Sequence, residues 1–144
     1  MDYLRENGML ENTLVVYTSD QGFYMGEHGW FDKRFMYDES LRMPLLVSCP
    51  SRIPAAGRVL GQIVTNVDFA QTILDAAGIS PHPRMQGVSF WPQLTDEPGR
   101  PTRDAMYYRY FENDDANHHA FAHYGVRTEK HKLIYFYNDG MGLP

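Results

Sequence analysis

The sequence predicts an α/β fold. A mainly parallel sheet with helices runs to residue 79, an irregular crossing spans residues 80–104, and a small antiparallel sheet follows over residues 105–144. Three observations predict it. Thr13–Thr18 is an apolar, β-branched run without alternation, as in a strand buried on both faces of a parallel sheet. Val67, Phe69, Ala70, Ile73, Leu74 and Ala77 recur at helical spacing. The last third carries aromatic strand patterns, Ala105 to Phe111, Ala122 to Arg127 and Lys132 to Tyr137.

The segment before the first strand ends like a helix, with Asn7–Gly8 as its stop. A long polar, glycine-bearing stretch follows the strand from Ser19 to about Leu41, and loops of that length inside a domain usually carry function. Pro44 to Ser48 reads as a second short buried strand, closed by Cys49–Pro50. The helix from Asn66 has Asn66 or Asp68 as N-cap and Gly78 as its C-terminal stop. Ser80 to Pro101 is rich in Pro and Gly and reads as a surface connection. Thr128 to His131 joins the last two strands as a hairpin-like turn, and the tail from Asn138 to Pro144 is glycine-rich.

At 144 residues with 43% hydrophobic and 14% aromatic content, the chain can build a core. The net charge of −5 is spread along the chain without a Lys/Arg cluster, which argues against nucleic acid as a partner. No apolar run approaches the roughly 20 residues of a bilayer span, so membrane insertion is not expected, and the first residues lack a signal-peptide pattern. The single cysteine, Cys49, excludes an internal disulfide and leaves the compartment unread.

The chemistry-bearing residues lie between the first two strands: Ser19–Asp20–Gln21–Gly22, Gly26–Glu27–His28–Gly29, Lys33, and Glu39–Ser40–Leu41–Arg42–Met43–Pro44. Ligands of α/β sheets bind beyond the carboxyl ends of strands, where Asp20 and Gln21 stand. Their oxygens suit calcium or magnesium, although calcium takes about 6–8 oxygen ligands and two residues do not complete a shell. Each feature also has a plain reading. Ser-Asp-x-Gly is common turn chemistry, a histidine between glycines is commonly a surface residue, and a single lysine is commonly a solvated charge.

Together the four segments resemble the sulfatase family of the alkaline-phosphatase superfamily, the formylglycine-dependent type I sulfatases. There a strand ends in Ser-Asp-(Asn, His or Gln)-Gly, followed by a Gly-Glu-His-Gly-type loop, a lysine and a Glu-Ser-x-Arg-x-Pro segment. Thr65–Asn66–Val67–Asp68 through Gly78, Gln86 to Phe90, and Gly125 to Thr128 with Lys132 to Tyr135 extend the resemblance. It implies the C-terminal part of an alkaline-phosphatase-like sheet and a sulfuric ester hydrolase, acting on a sulfated small molecule or glycan. Asp20 and Gln21 would be two calcium ligands (magnesium being the alternative), Lys33 would contact sulfate oxygens, and His28 would be a donor in the same loop. The formylglycine nucleophile and the remaining metal ligands are expected in sequence upstream of Met1, so the isolated fragment is expected to be inactive. The family also implies a periplasmic or secreted protein.

Cys49–Pro50–Ser51–Arg52 resembles the formylglycine motif but lacks its spacer residue, and Cys49 is expected to be a small buried hydrophobe. The strip Tyr107, Tyr108, Tyr110, Phe111, His118, His119 and His123 could line a sugar-binding rim, although strand aromatics mostly pack across strands. His118, His119 and His123 are the residues expected to be free for such contacts. Two other functions compete: a phosphonate or phosphodiester hydrolase of the same superfamily, and a noncatalytic remnant or glycan-binding module.

Overall fold

β1 (Val15–Thr18) and β2 (Leu45–Ser48) pair antiparallel as a two-stranded sheet, with Thr18 opposite Leu45 and Val15 opposite Ser48. The sequence places both strands in a mainly parallel sheet; with each other they pair antiparallel. An unbroken apolar run marks a candidate for burial but carries no information on strand direction. The excursion over residues 19–44 brings the chain back beside the end of β1, which antiparallel pairing permits without a crossover helix. Nor is β1 buried on both faces: Val16 and Tyr17 are exposed, as is Leu46 on β2.

The computed structural model describes residues 1–54, 57–97 and 99–138, so the tail predicted beyond Asn138 lies outside the described residues. The chain divides into two compact units. One comprises Met1–Thr18 and Leu45–Arg103, the other Ser19–Pro44 with the residues from Asp104 onward. The sequence assigns residues 19–44 to the same segment as the strands that flank them; the contacts group them with the C-terminal sheet instead.

In the first unit, α1 (Asp2–Glu6) is a short exposed helix that closes at Asn7–Gly8, with Gly8 at φ 65°. The central element is α3 (Asn66–Ala76), preceded in chain order by α2 (Asp38–Leu41) of the other unit. Its N-terminus is a capping box: Asp68 accepts from the Thr65 N–H at 2.8 Å, and Gly78 at φ 71° ends the helix. The buried face is not the apolar stripe. Asp68, Gln71 and Thr72 are buried while Val67 and Ile73 are more than half exposed. The reason is that residues 87–103 dress this face with hydrogen bonds. The Val88 N–H donates to Asp68 Oδ1 at 2.8 Å, the Phe90 N–H to Thr72 Oγ1 at 3.0 Å, and Ser89 Oγ to Asp75 Oδ2 at 2.7 Å. Gly87 makes the approach possible, because a Cβ there would lie 2.0 Å from the Val67 carbonyl oxygen. The crossing also contains a helical turn that the sequence did not reveal, α4 (Trp91–Leu94), whose Trp91 and Pro92 are buried. Arg58 binds the carbonyls of Gln93 and Leu94 at its end.

The second unit holds β3 (Ala105–Tyr110), β4 (His123–Thr128) and β5 (Lys132–Phe136), an antiparallel sheet in the order β3–β4–β5. All three strands match the sequence expectation. Val126 stands opposite Tyr107 on β3 and Leu133 on β5, fixing the register. One face packs on residues 23–37. Tyr24, Phe35 and Ala120 form the buried cluster, with Trp30, Tyr37, Tyr110 and Phe136 against it. Gly125 is required for this packing, since a Cβ there would fall 2.5 Å from Met36 Sδ and 2.2 Å from the Leu133 carbonyl oxygen.

Candidate active site

Asp20 and Gln21 directly follow β1, and Ser19 sets their turn: its hydroxyl donates at 3.1 Å to both Asp20 Oδ1 and the Gln21 carbonyl. Gly22 then lies flat against α2. Its N–H donates to the Ser40 carbonyl at 2.8 Å, and a Cβ would sit 1.9 Å from the Glu39 carbonyl oxygen. Only glycine permits that contact, so the strand exit and α2 are held as one piece. Asp20 remains exposed, with its carboxyl below the usual carboxylate range, first through the Ser19 hydroxyl and, among smaller causes, through the charge of Lys33.

Lys33 is fixed at its backbone. Its N–H donates to Asp32 Oδ1 at 2.7 Å and its carbonyl accepts from Ser40 Oγ. Asp32, 7% exposed, pairs with Arg34, whose own carbonyl accepts from the Tyr108 hydroxyl at 2.9 Å. The other oxygen of Asp32 is buried without a partner among the described residues. The loop carrying His28 is a hairpin: the Tyr24 N–H donates to the Asp32 carbonyl at 2.7 Å, and the Gly26 N–H to the Trp30 carbonyl at 2.9 Å. Gly26, His28 and Gly29 all have positive φ, and at 57° His28 is the non-glycine residue among them. Its ring stacks on Tyr37 at 4.4 Å and faces Glu39, Nε2 to Oε2 3.2 Å.

Asp20, Gln21, His28 and Lys33 thus belong to one compact unit. His123 does not join them as a surface contact. It is fully buried, Nδ1 donating to the Phe121 carbonyl at 2.7 Å, in a cage of Phe35, Tyr108, Tyr110 and Phe136 rings. Cross-strand aromatic packing wins over the polar sequence that precedes it, and burial pushes its imidazole pKa down. His118 and His119 stay near the surface, paired with Asp115 and Asp114 at 2.8 and 3.0 Å. Cys49 is buried at the end of β2, where its carbonyl closes a turn with the N–H groups of Arg52 and Ile53.

Among the described residues no group of three or more His, Cys, Asp or Glu is placed to hold a metal ion. The oxygens of Asp20 and Gln21 have the chemistry of a hard-cation site and supply part of a shell. Sequence reading did not assign roles to Asp32, Tyr37, Glu39 and Ser40. Glu39 lies in the Glu-Ser-x-Arg-x-Pro segment, but its contact with His28, 11 residues away along the chain, is not stated by the motif.

Comparison with known proteins sharpens this picture. Residues 26–142 match the family model described as N-sulphoglucosamine sulphohydrolase, C-terminal. An N-acetylglucosamine-6-O-sulfatase of Bacteroides thetaiotaomicron is 52% identical over 141 residues, 96% of this chain and 25% of that protein. A solved structure described as in complex with its substrate D-glucosamine-2-N,6-O-disulfate is also 52% identical. It superposes with a TM-score of 0.87 over 96% of this chain and 28% of its own. The phosphonate monoester hydrolase of Agrobacterium radiobacter is 26% identical, with a TM-score of 0.79 over 94% of this chain and 29% of its own. The chain spans about a quarter of the length of the curated relatives it matches. With the family model covering most of its length, this chain belongs to the sulfatases, as a member of the N-sulphoglucosamine sulphohydrolase C-terminal family.

Proposed function

We propose that this chain is the sulfate-gripping part of a sulfuric ester hydrolase whose substrate is a 6-O-sulfated glucosamine unit of a glycan. The observation that carries the reading is that α2 holds both the Asp20–Gln21 strand exit, through Gly22, and the Lys33 backbone, through Ser40 Oγ. The 52% identity to an N-acetylglucosamine-6-O-sulfatase supports the substrate class.

Asp20 and Gln21 would hold a calcium ion, with magnesium as the alternative, as part of a larger ligand set. When bound, that cation neutralises charge on the sulfate. The chain's own contribution is electrostatic. Lys33, its backbone held by Asp32 and Ser40, presents an ammonium to sulfate oxygens as negative charge builds in the transition state. The Asp32–Arg34 pair neutralises itself and so leaves the Lys33 charge for the substrate. No residue here is a formylglycine precursor: Cys49–Pro50–Ser51–Arg52 lacks the spacer and the thiol is buried. The nucleophile is expected from sequence outside this chain.

Two assays test the reading. The chain alone should release no sulfate from an aryl sulfate or from N-acetylglucosamine 6-sulfate. Expressed with the coding sequence preceding Met1, it should cleave the sugar sulfate, and Lys33→Ala should abolish most of that turnover. The likeness to phosphonate monoester hydrolases makes phosphonate ester cleavage the second reading. A larger kcat/KM on a phosphonate monoester than on the sugar sulfate would establish it in place of the first.

A further inference from the structure

His28 occupies a backbone conformation that side chains other than glycine rarely take, φ 57° and ψ 15°, between Gly26 at φ 123° and Gly29 at φ 74°. Such a position costs on the order of 1 kcal/mol and persists only where its surroundings over-determine it. Two contacts do so. Tyr37 stacks on the imidazole at 4.4 Å with planes 26° apart, which fixes the plane of the ring. Glu39 Oε2 stands 3.2 Å from Nε2, which fixes its rotation within that plane. Glu39 is itself held, because α2 is clamped against the Gly22 backbone. Its carboxyl lies below the usual glutamate range, through its own backbone N–H first and the His28 ring second, so it faces the ring as a carboxylate.

A carboxylate only accepts hydrogen bonds, so Nε2 must carry the proton of a neutral ring. Nδ1 is then a bare acceptor. The side chain is 43% exposed, leaving room for an approaching group. Sulfate ester oxygens are acceptors too and have nothing to offer Nδ1 of the neutral ring. The complementary group on a sulfated amino sugar is a hydroxyl or an amide N–H.

We propose that Glu39 is a positioning residue that holds His28 as its Nε2–H tautomer, and that Nδ1 receives a hydroxyl or amide N–H of the sugar while Lys33 takes the sulfate. The tautomer stands on the His28–Glu39 geometry with Glu39 as a carboxylate; the sugar contact rests on the sulfatase reading above. His28 is thereby assigned to substrate selection, in place of the sulfate-donor role that the family resemblance implied.

The test is imidazole 15N NMR of the chain labelled at histidine, at a pH where the ring is neutral. His28 should show a protonated Nε2 and an unprotonated Nδ1. Glu39→Gln preserves size but can donate as well as accept, so it should raise the Nδ1–H population, while Glu39→Asp should retain the wild-type tautomer. A wild-type ring protonated at Nδ1, or a tautomer unmoved by Glu39→Gln, overturns the proposal. The second readout uses the chain expressed with its preceding coding sequence. Glu39→Gln should lower kcat/KM on N-acetylglucosamine 6-sulfate by about tenfold, the scale of groups that orient a ligand from behind, and leave 4-nitrophenyl sulfate nearly unchanged. Equal losses on both esters overturn the sugar contact. Absence of any sulfatase activity with the tautomer intact overturns the functional reading and leaves the positioning role of Glu39 standing.

Discussion

Arg103 grips the carboxylate of Asp68 from two directions, Nε donating to Oδ2 at 3.0 Å and Nη2 to Oδ1. Asp68 is 1% exposed and also accepts from the N–H groups of Thr65 and Val88. One side chain therefore caps α3, ties residue 88 to it and anchors the end of the crossing. Removing one partner of a buried pair strands the other, which costs about 3–5 kcal/mol. Arg103→Ala should lower the unfolding free energy by that amount in urea titrations, and Asp68→Ala by at least as much. A loss under 1 kcal/mol for both would show that the pair is dispensable.

Acid should act on the chain in two steps. Burial depresses the His123 pKa despite the opposing hydrogen bond to the Phe121 carbonyl, so the unfolded chain protonates first. Stability is full above the unfolded value of about 6.5 and declines as pH falls below it, by up to about 1.4 kcal/mol per pH unit. Burial raises the Asp68 carboxyl, but Arg103 and the backbone donors outweigh it and the net shift is downward. Its contribution is present above about pH 3.9 and is lost as pH falls through the lower folded value. His123→Phe, which suits the aromatic cage, should flatten the upper step and leave the lower one. Melting temperature against pH reads both.

Gly22→Ala forces a methyl group to within 1.9 Å of the Glu39 carbonyl oxygen. Overpacking of this kind costs about 1–3 kcal/mol, and it should detach the strand exit from α2. Faster exchange of the residue-22 amide, which donates to the Ser40 carbonyl, should be the first sign, ahead of any change at β3–β5. Unchanged exchange would mean that the loop absorbs the methyl group elsewhere.

In the sulfate-ester assay of the longer protein, Lys33→Ala should lower kcat by about 100- to 1,000-fold, as loss of a transition-state donor does. Asp20→Asn should instead raise the calcium concentration needed for half-maximal rate. If a calcium chelator left the rate untouched, Asp20 and Gln21 would not be metal ligands.

Exposed Tyr17 and Leu46 stand opposite each other on one face of the β1–β2 sheet, and exposed apolar surface of this kind promotes association. The chain should elute from gel filtration above its monomer mass, and Tyr17→Ser with Leu46→Ser should shift it towards the monomer.

The elements written in local patterns were legible before any coordinates. The strands from Ala105, His123 and Lys132 and the helix from Asn66 declare themselves through residue type and spacing. What failed was information held by distant partners. The run at Thr13–Thr18 could not say that its neighbour is antiparallel β2, and the periodic stripe of α3 could not say that Arg103 and Val88 would make Asp68 the buried side. The site shows the same division. Asp20, Gln21, His28 and Lys33 are named by motif and resemblance, and Glu39 is in the motif too, but its contact with His28 and that of Asp32 with Lys33 become visible only on folding. His123 misled because its polar neighbours suggested a surface, while its strand position faces the core.

The segment from Ser19 to Pro44 leaves one half of a strand pair and returns to the other, yet finds its packing partners after residue 104. Tyr24 and Phe35 have no shelter until Ala120 and Phe136 arrive, and Asp38 waits 94 residues for Lys132. The loop therefore cannot gain its packing until the last strands are in place. A chain cut before Ala105 would keep Asp20, Gln21, His28 and Lys33 and lose the rings and the lysine against which their loop packs.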